Sequence, residues 1–148
     1  MPDDDLDDFL CFDLYAASRA VTAAYRPILG ELGLTYPQYL VLAVLWERDE
    51  RRIKELSTVL RLDHATLTPL LRRLESAGLL TRRRSADDER AVVVALTADG
   101  RALSAHAEDV RCRIAEAVGL PLEDVEVLRT LLRRVSAAVS PAPAAPRP

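Results

Sequence analysis

No run of apolar residues in this sequence approaches the roughly 18–20 that a membrane-crossing helix requires, so neither a membrane span nor a membrane partner is expected. The start, MPDDDLDD, lacks both a basic stretch and an apolar one, so it is not expected to be a secretory leader, and a cytoplasmic protein is the expectation. Cysteine is scarce. Cys11 and Cys112 form no CxxC, and neither His64 nor His106 completes a metal-ligand spacing with them. No metal site or cofactor is expected, nor a permanent disulfide in a reducing compartment. Glycine is also rare, at five in 148 residues, which together with abundant Leu, Ala, Arg and Glu favours a mostly helical chain.

A net positive charge is missing as well. The formal balance is −3, the wrong sign for a nucleic-acid binder, but the charges are segregated. Asp3, Asp4, Asp5, Asp7, Asp8 and Asp13 all precede the first basic residue, Arg19. Between Arg61 and Arg84, six arginines face only Asp63 and Glu75. An acidic start thus leads into a basic middle. Apolar residues make up 49% of the chain, enough for a real core.

The apolar spacing orders the chain. Leu6, Leu10, Leu14, Ala17, Val21, Ala24 and Ile28 describe one helix over about 6–29, with the early aspartates at its positive end. Gly30 and Gly33 stop it, and Pro37 opens a second helix through Trp46. A short helix carries Ile53, Leu56 and Val59. Asp63 then caps a helix with Leu67, Leu70, Leu71 and Leu74 on its buried face and Gly78 at its end. Pro69 leaves two readings: one bent helix from Asp63, which is favoured, or a later one capped by Thr68. Leu79–Arg84 and Ala91–Leu96 read as a hairpin around SADDER. Thr97 caps a long helix carrying Leu103, Val110, Ile114 and Val118. After Gly119 and Pro121, a last helix covers 122–139 with Val125, Leu128, Leu132, Val135 and Val139 in line. The tail PAPAAPRP is expected to be disordered.

Helix, short helix, helix and basic hairpin make a winged helix-turn-helix, a mainly α fold with a small β wing. The expected regions are 1–34, a dimerisation helix; 35–97, the winged DNA-binding region; 98–139, C-terminal dimerisation helices; and 140–148, the tail. The outer helices are too apolar to stand alone in water, and a second copy of the chain is the simplest cover. In such a module the second helix of the turn enters the major groove and the wing reaches the neighbouring backbone. His64, Ala65, Thr66 and Thr68 stand near that helix start, with Arg72 and Arg73 a turn later. Arg82, Arg83, Arg84 and Arg90 belong to the wing. Double-stranded operator DNA is the expected partner. Asp87, Asp88 and Glu89 read as a wing tip braced by an Asp88–Arg90 pair rather than a metal cluster. Trp46 and Tyr39 are expected to pack, and His106 to face solvent.

The segment RRRSADDERAVVVALTADG resembles the wing signature of MarR-type regulators, through Asp88 and Arg90 and through Leu96, Thr97 and Gly100. FLCFDLYAASRAVTAAYRPIL, LGLTYPQYLVLAVLWE and LDHATLTPLLRRLE resemble the OhrR subfamily, repressors that sense organic hydroperoxides. The likeness is close over about 9–100. His64 departs from it, standing where the subfamily usually has a small residue such as serine.

Cys11 lies in DFLCFDLY, among Phe9, Phe12 and Leu14. Thiols react as thiolates, which apolar walls and nearby aspartates both disfavour. The start of a helix from Leu6 would help little, since Cys11 would be in its second turn. Phenol O–H groups are better candidates, because they donate hydrogen bonds to a thiolate. Tyr15, four residues on, shares the face of Cys11. Tyr25 is 14 residues away, about 21 Å along a straight helix. It reaches a thiol only across a two-fold axis that packs the first helices antiparallel. Tyr36 is a further donor.

The family resemblance implies that Cys11 is the peroxide-reactive residue, held by Tyr25 and Tyr36, and that no enzyme turnover is involved. It also implies a candidate resolving cysteine at Cys112, since some members carry a second cysteine in this region that forms an intersubunit disulfide. The alternative is a structural Cys112 and a small cellular thiol capping Cys11. Two rival functions remain: a thiol peroxidase using the same cysteine, and a MarR-type repressor released by a small aromatic ligand.

Overall fold

The structure is a computed structural model in which residues 6–140 are described; Asp3, Asp4, Asp5 and the Pro/Ala tail lie outside them. A 3-10 turn, Leu6–Asp8, comes first, and Phe9 follows in an extended conformation. Helix α1 therefore spans Leu10–Gly30 instead of starting at Leu6. The Phe9 carbonyl accepts from the amides of both Phe12 (2.9 Å) and Asp13 (3.1 Å), so regular helical bonding begins there. Cys11 is consequently the second residue of α1, inside its first turn. This corrects the sequence expectation about the helix dipole.

Helix α2, Tyr36–Glu47, opens with a reciprocal cap. The Gln38 amide donates to Thr35 Oγ1 at 3.4 Å, and the Thr35 amide donates to Gln38 Oε1 at 3.0 Å. Two residues, Arg51–Arg52, form strand β1 before helix α3, Ile53–Leu60. Leu56 of α3 is fully buried, while Val59, expected on the same stripe, is exposed. Helix α4, His64–Ser76, starts at Asp63, whose carboxylate accepts from the Thr66 amide at 2.7 Å. Pro69 lies inside α4, as in the favoured reading; it cannot donate to the Ala65 carbonyl one turn back. Gly78 ends the segment with φ +74°, a conformation glycine adopts without strain.

Strands β2, Leu80–Arg84, and β3, Val92–Leu96, form the wing in antiparallel register from Leu80↔Leu96 to Arg84↔Val92. The sheet has a third strand not expected from the sequence. β1 pairs with β3 (Arg51↔Val94, Arg52↔Val93), giving the order β1-β3-β2. The expected single helix after Thr97 is broken into α5, Ala98–Ala102, a 3-10 turn, Leu103–His106, and α6, Ala107–Val118. The Ser104 hydroxyl donates to the Arg101 carbonyl at 2.7 Å, competing with regular helix bonding at the break. Helix α7 covers Leu122–Val139, the limits read from the sequence.

The chain divides into two compact units, one through Ile114 and one from Ala115. In the first, Leu29, Leu42, Leu45, Leu56, Leu67, Leu71, Leu74, Leu80, Val94 and Val110 are fully buried. Each contributes about 1.5–3 kcal/mol of apolar burial. Of the apolar stripe on α1, only the C-terminal Ile28 and the adjacent Leu29 are buried; Leu10, Phe12 and Val21 are exposed. In the second unit, α7 exposes Leu128, Leu131, Leu132 and Val139.

Asp49 ties the first unit together. Its Oδ1 accepts from the amides of Leu96 (2.9 Å) and Glu50 (2.8 Å), and its Oδ2 meets Arg101 Nη2 at 2.7 Å. Burial works against its ionisation, but the Leu96 amide, the Arg101 guanidinium and the Glu50 amide outweigh it, holding the carboxyl below its ordinary value. A depressed folded-state value means the stabilisation is present above the ordinary aspartate range and fades as pH falls through the folded value. Asp49→Ala should cost about 2 kcal/mol at pH 7. Denaturant midpoints should show the gap from wild type narrowing below pH 4.

Candidate DNA interface and thiol site

At the start of α4, His64, Ala65 and Thr66 are exposed and Thr68 is half-buried. Arg72 and Arg73 are exposed one to two turns later. The wing tip is built by backbone bonds. The Ser85 amide donates to the Ala91 carbonyl (2.8 Å), and the Arg90 amide donates to Asp88 Oδ1 (3.0 Å). The expected Asp88–Arg90 brace thus exists through the Arg90 main chain, not its guanidinium, because a carboxylate two residues back reaches the amide in a tight Asx turn. This leaves the Arg90 side chain exposed at the tip. Arg84 is also exposed, with only a 3.5 Å contact from Nη1 to the Glu89 carbonyl. Arg83 pairs with Glu50 at 3.0 Å on the surface. Arg82 is different: its Nε (2.9 Å) and Nη2 (2.7 Å) both donate to Glu75 Oε2.

Between the α4 start and the wing lies a cleft of about 410 Å³ lined by Arg52, Ile53, Lys54, His64, Asp88 and Arg90. Arg52 and Lys54 were not among the expected DNA-facing residues. The run RRIK at 51–54 was the available signal, but it lies upstream of the arginine-rich stretch and acquires its position only through β1 pairing with β3. No helix among the described residues is long and apolar enough to cross a membrane, and no described His, Cys, Asp and Glu residues cluster as metal ligands.

Cys11 is exposed, beside the exposed apolar side chains of Phe9, Leu10 and Phe12. Tyr15 is exposed too, with the Arg19 guanidinium 5.5 Å from its ring centroid. Tyr25 and Tyr36 stack at 4.3 Å, Tyr25 lies 6.0 Å from Tyr39, and Tyr39 meets Trp46 edge-on at 5.8 Å. Tyr39 is buried, and Trp46 Nε1 donates to the Gly100 carbonyl at 2.9 Å. Burial, helped by Tyr36 and Tyr39, pushes the Tyr25 phenol up to about 12, and burial also raises Tyr36. Both are therefore protonated donors at neutral pH. The unbroken α1 carries both Cys11 and Tyr25, so about 21 Å of helix separates them within one chain. No hydrogen bond joins Cys11 to a tyrosine among the described residues. Cys112 is exposed on α6, with its Sγ 3.8 Å from Glu108 Oε1. His106 faces solvent, as expected.

These elements define a winged-helix regulator of the DNA-binding type. Residues 23–106 match the family model described as transcriptional regulator SarA/Rot. The chain is 45% identical over 127 residues to the organic hydroperoxide resistance transcriptional regulator of Bacillus subtilis, covering 86% of each chain. Among solved structures, reduced AbfR bound to DNA is similar with a TM-score of 0.74 and 33% identity, over 92% of this chain and 96% of that one; AbfR is from Staphylococcus epidermidis. A disulfide-formed AbfR structure gives 0.64 and 35%, over 88% and 92%. The chain belongs to the MarR superfamily of transcriptional regulators, in the OhrR subfamily.

Proposed function

We propose that the protein is a homodimeric repressor that binds operator DNA when reduced and is released when an organic hydroperoxide oxidises Cys11. The observation that carries this reading is the position of Cys11: exposed in the first turn of α1, among uncovered apolar side chains. The amides and dipole of a first turn favour an anion. A partner chain packed antiparallel on α1 supplies what one chain lacks, the neutral phenols of Tyr25 and Tyr36. Tyr15, engaged by Arg19, is a lesser candidate.

The thiolate attacks the O–O bond. A sulfur–oxygen bond forms, the O–O bond breaks, and the alkoxide leaves as an alcohol after taking a proton, with sulfur oxidised to the sulfenic acid. The thiolate of Cys112 from the other chain then attacks that sulfur, expelling hydroxide as water and closing a disulfide. Exposed apolar walls favour alkyl over hydrogen peroxide. On DNA, α4 enters the major groove through His64, Ala65, Thr66 and Thr68. Arg72, Arg73, Arg84 and Arg90 meet the backbone or minor groove, and Arg52 and Lys54 add charge in the cleft beside them. The protein is not an enzyme in this scheme, needs no cofactor and works in the cytoplasm.

The test is non-reducing electrophoresis after one equivalent of cumene hydroperoxide. Wild type should run as a covalent dimer and Cys112→Ser as a monomer, with dimedone labelling then found on Cys11. A covalent dimer in the Cys112→Ser variant removes Cys112 from the mechanism. Absence of label on Cys11 removes the sensor.

A further inference from the structure

Arg82 stands among the residues expected to face DNA, yet its guanidinium is turned back onto α4. Glu75 is in the last turn of that helix and Arg82 is the middle residue of β2, so the pair bridges the Ala77–Leu79 turn. Two guanidinium N–H groups converge on one carboxylate oxygen at 2.9 and 2.7 Å. The side chain of Arg82 is 25% exposed and that of Glu75 38%, making this the most enclosed of the described ion pairs on the α4–wing face. Arg82 also faces Val94 in the central strand, so its backbone is held while its head is anchored on the helix.

We propose that Glu75 and Arg82 are positioning residues for DNA recognition. Their pair fixes the angle between α4 and the wing so that both engage one duplex at once. Arg82 acts through the wing and makes no phosphate contact. This rests on the operator-binding reading above.

The two possible roles for Arg82 predict opposite signs. If Arg82 neutralised a phosphate, Glu75→Gln would free it and remove a negative charge from the DNA-facing side, so affinity would hold or rise. Arg82→Met would then lower the slope of log K against log salt by about one. If the pair sets the angle, Glu75→Gln weakens specific binding although the charge change favours DNA. Arg82→Met then weakens specific binding as Glu75→Gln does, and the double variant loses no more than either single one. A duplex that takes only non-specific contacts does not need both elements aligned, so its affinity does not fall and the lost negative charge raises it slightly.

The experiment uses the full-length protein and a duplex selected by wild type from a random pool, with binding followed by fluorescence anisotropy from 50 to 200 mM salt. Glu75→Gln is expected to weaken the selected duplex about tenfold, the size of one lost base-pair contact, and to bind a scrambled duplex no more weakly than wild type. Equal or tighter binding by Glu75→Gln overturns the proposal, as does a double variant whose loss is the sum of the two single losses. Should circular dichroism show Glu75→Gln unfolded, Glu75→Asp carries the same test: it keeps the charge but shortens the reach, and undiminished specific affinity overturns the proposal. Failure of wild type to enrich any duplex strikes the operator reading itself and is distinct from these outcomes.

Discussion

Cys11→Ser is expected to bind operator as tightly as wild type and to lose its response to cumene hydroperoxide. The side chain is exposed and the substitution changes one atom, so the fold has no reason to shift. A serine hydroxyl does not ionise near neutrality and does not cleave the O–O bond, so half-release should need about a hundredfold more peroxide, or not occur at all. DNA mobility shift with graded peroxide measures both properties on one gel. A serine variant still released at the wild-type concentration would defeat the sensor assignment. Release by an aromatic acid in its place would favour the ligand-controlled reading. Steady consumption of peroxide with a thiol reductant would favour the peroxidase.

The second large effect is structural. A Cβ added at Gly100 would lie 1.9 Å from the Leu79 carbonyl oxygen and 2.9 Å from its carbon. These are backbone atoms, and that oxygen is already committed to the Thr97 amide at 3.1 Å. The neighbourhood is further pinned by Thr97 Oγ1, which donates to the Gly78 carbonyl at 2.6 Å and accepts from the Gly100 amide at 3.1 Å. Gly100→Ala must push α5 away from the root of the wing. The expected loss is about 3 kcal/mol or more, seen calorimetrically as a fall in melting temperature on the order of 10 °C. A melting curve matching wild type would show that the junction yields without cost.

Glycine at this position was legible from the sequence only as part of a resembled signature; the clash that demands it comes from Leu79, 21 residues earlier. The same division runs through the rest of the molecule. Leu67, Leu70, Leu71 and Leu74 repeat at helical spacing and are buried. The limits of α7 follow from Gly119, Pro121 and a regular stripe. These features depend on local order. Strand β1 does not: two arginines carry no periodicity and become a strand only because Val93 and Val94 offer an edge. The break between α5 and α6 has no proline to announce it. The start of α1 was misplaced because the leucine at position 6 fits the stripe although Phe9 interrupts the helix.

At the site, local reading went furthest with distance. A rise of about 1.5 Å per residue separates Cys11 from Tyr25, and the continuous α1 keeps that separation. It went least far with side-chain commitment. Nothing in RRR at 82–84 marks its first arginine as tied to Glu75 or its second to Glu50, since both pairs close through tertiary folding.

Trp46 is the sole tryptophan in the chain, and its indole joins the tyrosine stack to the Gly100 carbonyl at the root of the wing. The molecule therefore carries a built-in optical reporter at the place where the tyrosine cluster meets the reading head. Its emission can follow displacement there in real time, with no dye attached and no second indole to blur the signal.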